Sequence, residues 1–491
     1  MKVGSCANTT GRRRSQRIAL MVLALVEFGC MVGPNYKPPN LELPARYEAG
    51  SKPAPQSAQS DLAQWWRGFD DPVLDRLVAQ ALSSNLDLMD AVARVREARA
   101  LQNEASAALY PSLSNGWSYS RIRYSETTPF GSFPQIFPVE YNLFEGGFNS
   151  SWDLDLFGGI RRGIQAQQAE LERAAENERD VRVAVLAEIG QDYVNVRSLQ
   201  RRIAIAQSNT AAQRASLELT QERFQMGFAA ELDVAQARSL MLATQTTIPT
   251  LKTQLVQTIH QLGVLLGRPP EALSSSLSAT RPLLPVSQLD VLKQRIPPGL
   301  PSELLRRRPD IRAAEREMAA ASARVGVATA AFFPDFSLTG TVGLESIALS
   351  NFIEGASRFW TVGPTLTLPI FEGGRLKAQL AAANAEQDQA LLIYKKTVLQ
   401  ALEEVEDALS ASAQERARHL LLAQNVAAAQ RTTDLAEDRY THGIGSYLDV
   451  LEAQRSLYQA QDQLAQSHQL MALDLIALFK ALGGGWSPAQ G

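Results

Sequence analysis

The chain has 491 residues, more than one ordinary globular domain needs, and a net charge of −3. No basic face or block stands out, which argues against nucleic acid as a partner. The only cysteines are Cys6 and Cys30, and the four histidines (His260, His419, His442, His468) have no carboxylate at metal-ligand spacing. Disulfides and a metal centre are therefore not expected in the bulk of the chain, and the histidines are expected to be plain helix residues.

In chain order, residues 1–29 predict a signal peptide. Arg12, Arg13, Arg14 and Arg17 make a positive start, and residues 18–26 form an apolar run too short to cross a bilayer as a helix. Gly29 then precedes Cys30. A small residue before Cys fits a lipoprotein signal, in which Cys30 would be acylated and become the mature N-terminus. Glu27 and Phe28 depart from that pattern, and a non-lipidated signal with an incidental Cys is the alternative. No later stretch is long and apolar enough for a membrane helix, so any passage through a membrane must use strands.

After an extended N-terminal segment, 30–72, one structural unit is written twice, at 73–285 and 286–485, before a short tail, 486–491. Asn85-Leu-Asp-Leu-Met-Asp-Ala91 corresponds to Arg308-Pro-Asp-Ile-Arg-Ala-Ala314, and both run without a gap to an aromatic-proline step, Tyr110-Pro111 and Phe333-Pro334. Leu156-Phe-Gly-Gly-Ile-Arg161 corresponds to Ile370-Phe-Glu-Gly-Gly-Arg375. Arg223-Phe-Gln-Met-Gly-Phe-Ala-Ala-Glu-Leu-Asp-Val234 corresponds to Arg439-Tyr-Thr-His-Gly-Ile-Gly-Ser-Tyr-Leu-Asp-Val450. Both halves close on Leu-Gly, at Leu266-Gly267 and Leu482-Gly483.

Each unit predicts a leading helix, two strands, a very long helix, a glycine break and a returning helix. Residues 375–442 contain neither Gly nor Pro and repeat apolar residues at helical spacing (Leu392, Val398, Leu402, Val405, Leu409), a helix of roughly 100 Å. The matching stretch, 164–226, is interrupted only by Gly190. Such lengths imply coiled-coil packing. The strands alternate with period two. Phe148, Ser150, Trp152, Leu154 and Leu156 oppose Asn149, Ser151, Asp153 and Asp155. Phe336, Leu338, Val342 and Leu344 alternate with Ser337, Thr339 and Thr341, and Trp360, Val362, Leu366, Leu368 and Ile370 with Thr361, Thr365 and Thr367. A weaker strand covers 113–124. These are the length and pattern of membrane strands with lipid on one side and water on the other, although a soluble half-buried sheet gives the same alternation. Asp153 and Asp155 would face the barrel lumen or be merely wetted, and Trp117, Trp152 and Trp360 would form an interfacial belt or pack in a core.

Four strands cannot close a barrel, since the smallest membrane barrels need about eight. An open edge in lipid leaves backbone groups unpaired, so several chains must contribute. The fold class expected is an α+β membrane protein with long α-hairpins and four strands per chain. Three chains would form a twelve-stranded β-barrel continued by an α-helical barrel.

Three motifs give the chain a specific likeness. Cys30-Met-Val-Gly-Pro-Asn-Tyr-Lys-Pro-Pro39, Trp65-Trp66-Arg-Gly-Phe-Asp-Asp-Pro-Val-Leu74 and Leu300-Pro-Ser-Glu-Leu-Leu-Arg-Arg-Arg-Pro-Asp-Ile-Arg-Ala-Ala-Glu315 resemble outer membrane efflux lipoproteins of the OprM/NodT type, within the wider TolC family. The resemblance spans almost the whole mature chain. It implies a homotrimeric, lipid-anchored channel in the outer membrane, mostly periplasmic, docked to a periplasmic adaptor and an inner membrane pump of the resistance-nodulation-division class. It implies no enzymatic activity and no cofactor beyond a covalent lipid on Cys30. A general porin and a structural coiled-coil surface protein are the rival readings; long α-hairpins argue against the first and alternating strands against the second.

The resemblance also assigns a gate. Gly227 and Gly443 break the long helices just before Leu-Asp-Val and supply the positive φ that reverses the chain. Asp449, with Glu452 near it, matches acidic residues that ring the family's closed periplasmic tip, where three like charges would repel one another and attract cations. Asp233, Arg223, Arg439 and Tyr440 match positions of tip salt bridges and hydrogen bonds. Gly445 stands where relatives often carry a larger residue, which implies a weaker or different set of latches. For Asp233 and Asp449 an N-terminal helix cap is an equally simple role, and one compatible with gating.

Overall fold

The computed structural model describes residues 31–48, 61–127 and 138–487. The signal segment and Cys30 lie outside the described residues. The first half runs α1 (Pro72–Ser84), α2 (Leu86–Ala107), β1 (Ser112–Arg123), β2 (Glu140–Asp153), α3 (Gly159–Gln225) and α4 (Glu231–Leu265), followed by α5 (Val286–Arg295). The second half runs α6 (Pro301–Arg307), α7 (Pro309–Ala330), β3 (Asp335–Ser346), β4 (Arg358–Thr367), α8 (Arg375–Thr441) and α9 (Tyr447–Ala481). Counterparts agree in length: 22 residues for α2 and α7, 12 for β1 and β3, 67 for α3 and α8, and 35 for α4 and α9.

The chain nevertheless does not divide at the boundary between its repeats. Two compact units form, and each draws on both halves. One comprises the N-terminal segment to Pro39 with Arg96–Arg173 and Glu315–Ile393; the other comprises Asn40–Val95, Ala174–Ala314 and Tyr394–Gly491.

The first unit holds a single antiparallel sheet in the order β1-β2-β3-β4. The register puts Trp117 opposite Gly146, Phe148 opposite Val342, and Val342 opposite Trp360. Directly paired residues share a face, so Leu113, Trp117, Tyr119, Phe148, Val342, Trp360, Val362 and Leu366 form one apolar surface, and all are exposed. Ser, Thr, Asn and Gly dominate the other face, where Asp153 pairs with Ser337. Trp117 and Trp360 stand on the exposed apolar face, whereas half-buried Trp152 donates from Nε1 to the Leu109 carbonyl at 2.9 Å.

Two expectations need correcting here. β2 stops at Asp153, so Asp155 is not a strand residue and does not face a lumen from the sheet. Its carboxylate accepts from the backbone N–H of Ile160 (3.1 Å) and Arg161 (2.9 Å) and from Arg161 Nε (3.0 Å). It thus neutralises donors in the first turn of α3, where a negative group is favoured. β4 likewise ends at Thr367, leaving Leu368 and Ile370 beyond it.

The N-terminal strap is tied to the same turn of α3. Arg162, 3% exposed, donates to the carbonyls of Val32 (3.0 Å) and Gly33 (3.1 Å) and to Asn35 Oδ1 (2.9 Å). One planar fork therefore satisfies three acceptors of a segment with no regular structure of its own.

In the second unit the aromatic motif near position 65 is the centre of the core. Trp65, 1% exposed, lies 6.0 Å from Trp66, 6.0 Å from Phe69 and 5.8 Å from Phe479 between ring centroids. Gly190, the one interruption noted in the first long helix, is where Trp65 meets α3: a Cβ there would stand 2.5 Å from Trp65 Cη2. Arg308, also in a recognisable motif, is 9% exposed at its side chain. It grips Asp310 through Nε (3.0 Å) and Nη2 (2.6 Å), and from Nη1 reaches Glu404 (2.5 Å) and the Ala481 carbonyl (3.0 Å).

Asp192 on α3 is a buried carboxylate of a different kind. It is 6% exposed and its Oδ2 has no hydrogen-bond partner among the described residues. Burial, and secondarily the charge of Glu188, push its pKa up to about 7, with Asn195 opposing. The folded state therefore holds a proton that the unfolded chain releases near the ordinary carboxylate pKa, so this group makes stability fall as pH rises from about 4 to 7. Asp192→Asn is expected to remove that slope and to raise stability at pH 8 by about 2 kcal/mol, with little change at pH 4. Unfolding followed at both pH values checks this; an equal change at both would show that the charge is not responsible.

Candidate functional site

The two glycine breaks lie in the second unit and have the same construction. Gly227 and Gly443 adopt φ of +81° and +72°. At the first, Phe228 N–H donates to the Arg223 carbonyl (2.8 Å) and Gly227 N–H to Phe224 (2.9 Å). At the second, Ile444 N–H donates to Arg439 (3.0 Å) and Gly443 N–H to Tyr440 (3.0 Å). This paired pattern closes a helix C-terminus around a left-handed residue, a conformation that disfavours any side chain with a Cβ.

The returning helices start on matching caps. The Asp233 carboxylate accepts from Ala230 N–H at 3.1 Å. Asp449 accepts from Ser446 N–H at 3.4 Å, while the Ser446 hydroxyl accepts from Leu448 N–H at 3.1 Å. Both aspartates thus serve as caps in this chain, at the positive ends of α4 and α9. Glu452 points elsewhere on α9 and pairs with Arg455 at 3.4 Å.

Arg223 is the residue that joins the two turns. Its Nη1 donates to the Thr441 carbonyl at 3.0 Å, an unpaired acceptor of the last turn of α8. Its guanidinium carbon stands 4.7 Å from the centroid of the Tyr440 ring. Tyr440 in turn meets Tyr447 edge-on at 5.3 Å, and the Tyr447 hydroxyl lies 3.5 Å from that of Ser216 on α3. Beneath this polar layer Leu217, Ala237, Ala436, Tyr440, Tyr447, Val450 and Ala453 form one buried cluster drawn from all four long helices. The Tyr440 hydroxyl is buried with no partner among the described residues. A bond from a terminal guanidinium to one exposed carbonyl, backed by a cation–π contact, is a weak link of the kind that can break without unfolding either hairpin.

Arg439, in contrast, folds back on its own turn, with Nη2 donating to the Ile444 carbonyl at 3.4 Å. It does not cross to the other hairpin. Gly445 is pressed against that turn: a Cβ there would stand 3.0 Å from Arg439 Cβ and 3.2 Å from Tyr440 N. Tyr447 carries no mark in the sequence beyond being an aromatic residue directly after a Ser cap. Its partners, Tyr440 and Ser216, lie in distant stretches of chain.

No group of three metal-ligating side chains occurs among the described residues. His419 and His468 do come together, with ring centroids 6.0 Å apart. Their nitrogens are engaged by the Ser467 hydroxyl (3.3 Å) and the Leu284 carbonyl (2.9 Å). No helix among the described residues is long and apolar enough to cross a membrane.

Comparison with known proteins gives a consistent result. The family model described as outer membrane efflux protein matches residues 77–268 and 300–484. Nodulation protein T of Rhizobium leguminosarum bv. trifolii is 33% identical over 477 residues, covering 97% of this chain and 98% of its own. The toluene efflux pump outer membrane protein TtgF of Pseudomonas putida is 34% identical over 481 residues, covering 95% and 96%. The solved structure of the outer-membrane channel OprN superposes with a TM-score of 0.85 at 36% identity, covering 94% of this chain and all of that one.

Proposed function

The chain belongs to the outer membrane efflux protein family, and from that premise we propose that it is the exit duct of a three-part export system. Its place is the outer membrane, with the helical part in the periplasm. The observation that carries the assembled form is the sheet: four strands, one exposed apolar face, and two edges, β1 and β4, unpaired among the described residues. An apolar face of this extent needs a nonpolar solvent, and strand edges in lipid need partners. A homotrimer joining β1 of each copy to β4 of the next closes a twelve-stranded barrel, with the Ser/Thr face and Asp153 toward a water-filled bore. Acylation of Cys30 adds a lipid anchor and no other cofactor.

An efflux channel carries no reaction of its own, so the energy comes from an inner membrane pump, of the resistance-nodulation-division class for this branch, reached through a periplasmic adaptor. The cargo is small molecules. The helix turns act as the gate. In the closed state Arg223 holds the first hairpin to the Thr441 carbonyl and the Tyr440 ring, and three copies of Asp449 and Glu452 line the entrance with negative charge. Opening requires that the Arg223 link break.

Single-channel conductance in planar bilayers tests this. The wild type is expected to conduct weakly, and Arg223→Ala severalfold more, because the cross-hairpin bond and the cation–π contact are both lost. Asp449→Ala/Glu452→Ala is expected to reduce the preference for cations. Large conductance in the wild type would instead describe an open porin, and no conductance in any variant would remove the channel reading.

A further inference from the structure

The second unit contains a cleft of about 630 Å³ remote in sequence from the helix turns and unused by the export reading. It is lined by Trp66, Arg67, Asp75, Arg76, Arg182 and Trp486. We propose that this cleft binds an organic carboxylate, with the anionic group held by Arg182 and the Trp486 indole and the apolar body lying against Val78, Ala79 and Leu82.

The argument begins with unpaired donors. Trp486 is 7% exposed, yet its Nε1–H has no acceptor among the described residues, and neither has the buried Nε–H of Arg182. Both groups can only donate, so what completes them is an acceptor, and an anionic oxygen is the strongest available. An unmet buried donor costs ~1–3 kcal/mol. The third orphan on the lining is Asp75 Oδ1. Burial raises the Asp75 pKa, with Arg67 opposing.

The charge balance points the same way. Arg67, Arg76 and Arg182 line the cleft, and none forms an ion pair with a carboxylate among the described residues, whereas Asp75 is the only acidic side chain on the lining. The Trp486 ring is fixed before any ligand arrives. The guanidinium carbons of Arg179 and Arg312 lie 5.0 and 5.2 Å from its centroid. Both arginines are anchored to Glu176, each at 2.6 Å. A rigid donor loses little entropy on binding.

Size and wall chemistry select an organic anion over an inorganic one. The volume falls within the range of ordinary small-molecule sites, roughly 300–1,000 Å³. A phosphate ion would leave most of it unfilled and would gain nothing from the apolar wall.

The test is calorimetric titration of the full-length assembled protein with 4-phenylbutyrate, its neutral amide 4-phenylbutanamide, and inorganic phosphate. The carboxylate is expected to bind, and the amide and phosphate to bind at least about tenfold more weakly, the loss of a charge-assisted bond pair. Trp486→Phe, which keeps the ring and removes the N–H, and Arg182→Met are each expected to weaken the carboxylate by a similar factor. Arg76→Gln, at an exposed helix position, supplies a variant that leaves the core untouched and is expected to weaken it less. Equal affinity for acid and amide would reduce the effect to apolar partition and overturn the proposal. So would phosphate matching the organic acid, unchanged affinity in Arg182→Met and Arg76→Gln, or no binding by the wild type.

Discussion

Trp65→Ala is expected to lower stability by about 3–5 kcal/mol, the range for deleting a fully enclosed aromatic side chain. The indole touches Trp66, Phe69 and Phe479 and fills the notch that Gly190 leaves in α3. Because that notch has the shape of this ring, the reverse substitution should be nearly as harmful. Gly190→Val forces two methyl groups into a space where even a Cβ would be 2.5 Å from Trp65 Cη2 and 3.3 Å from Ile476 Cδ1. Overpacking of that kind costs about 1–3 kcal/mol. The informative variant is the pair together. With the indole gone, the valine occupies part of the vacated volume, so the double variant should be more stable than the sum of the two losses. Circular dichroism through a guanidinium titration measures all three. Strict additivity would mean that the two positions do not share a space, and would refute the packing account.

Arg308→Met is expected to cost about 3–5 kcal/mol for a different reason. Burial works against the Arg308 charge, but Asp310 and Glu404 outweigh it and hold the guanidinium protonated. Removing the cation leaves the Asp310 carboxylate with only the Ile311 N–H as donor and takes the Arg308 donor from the Ala481 carbonyl. Arg308→Lys should recover less than half of the loss. An ammonium supplies the charge but cannot span both oxygens of Asp310 while also reaching Glu404 and Ala481. A lysine variant as stable as the wild type would show that charge alone matters there, and not the planar fork. The readout is again the unfolding midpoint.

These residues also mark how far the sequence could be read. The strands, the long helices and the glycine turns announce themselves by local pattern: alternation at Phe148 to Asp153, an absence of Gly and Pro over 375–442, and Gly227 and Gly443 ahead of Leu-Asp-Val. Asp155 was misplaced because its parity continues the alternation of β2 two residues past the strand's end. The Gly158-Gly159 step and the helix behind it were the better guide, since an Asp shortly before a helix is an anchor for its first turn. Arg162 and Arg308 could not be ranked from sequence, and Arg223 was marked only by its likeness to a latch position, without its partner. The fold supplies the partners: a strap at Val32 for Arg162, a helix end at Ala481 for Arg308, a carbonyl at Thr441 for Arg223. Gly190 looked like a flaw in a helix because the residue that needs it, Trp65, is far away in the chain. Arg439 matched a latch position, yet it folds back on its own turn, and of the two matched arginines it is Arg223 that crosses to the other hairpin.

The order of strands in the sheet has a consequence for synthesis. Neighbours β2 and β3 come from different repeats, and the Asn149 Oδ1 that accepts from Thr341 Oγ1 at 2.9 Å does so across 192 residues. At a ribosomal rate of about 5–20 residues per second, roughly 10–40 s pass between the emergence of the two partners. During that interval the β1–β2 hairpin carries an apolar face and a bare edge with nothing to pair against. High-contact-order pairing is slow even when both strands are present. A premature stop after α4 is therefore expected to yield an aggregation-prone fragment despite containing a complete repeat, because its apolar face and bare edge never meet β3.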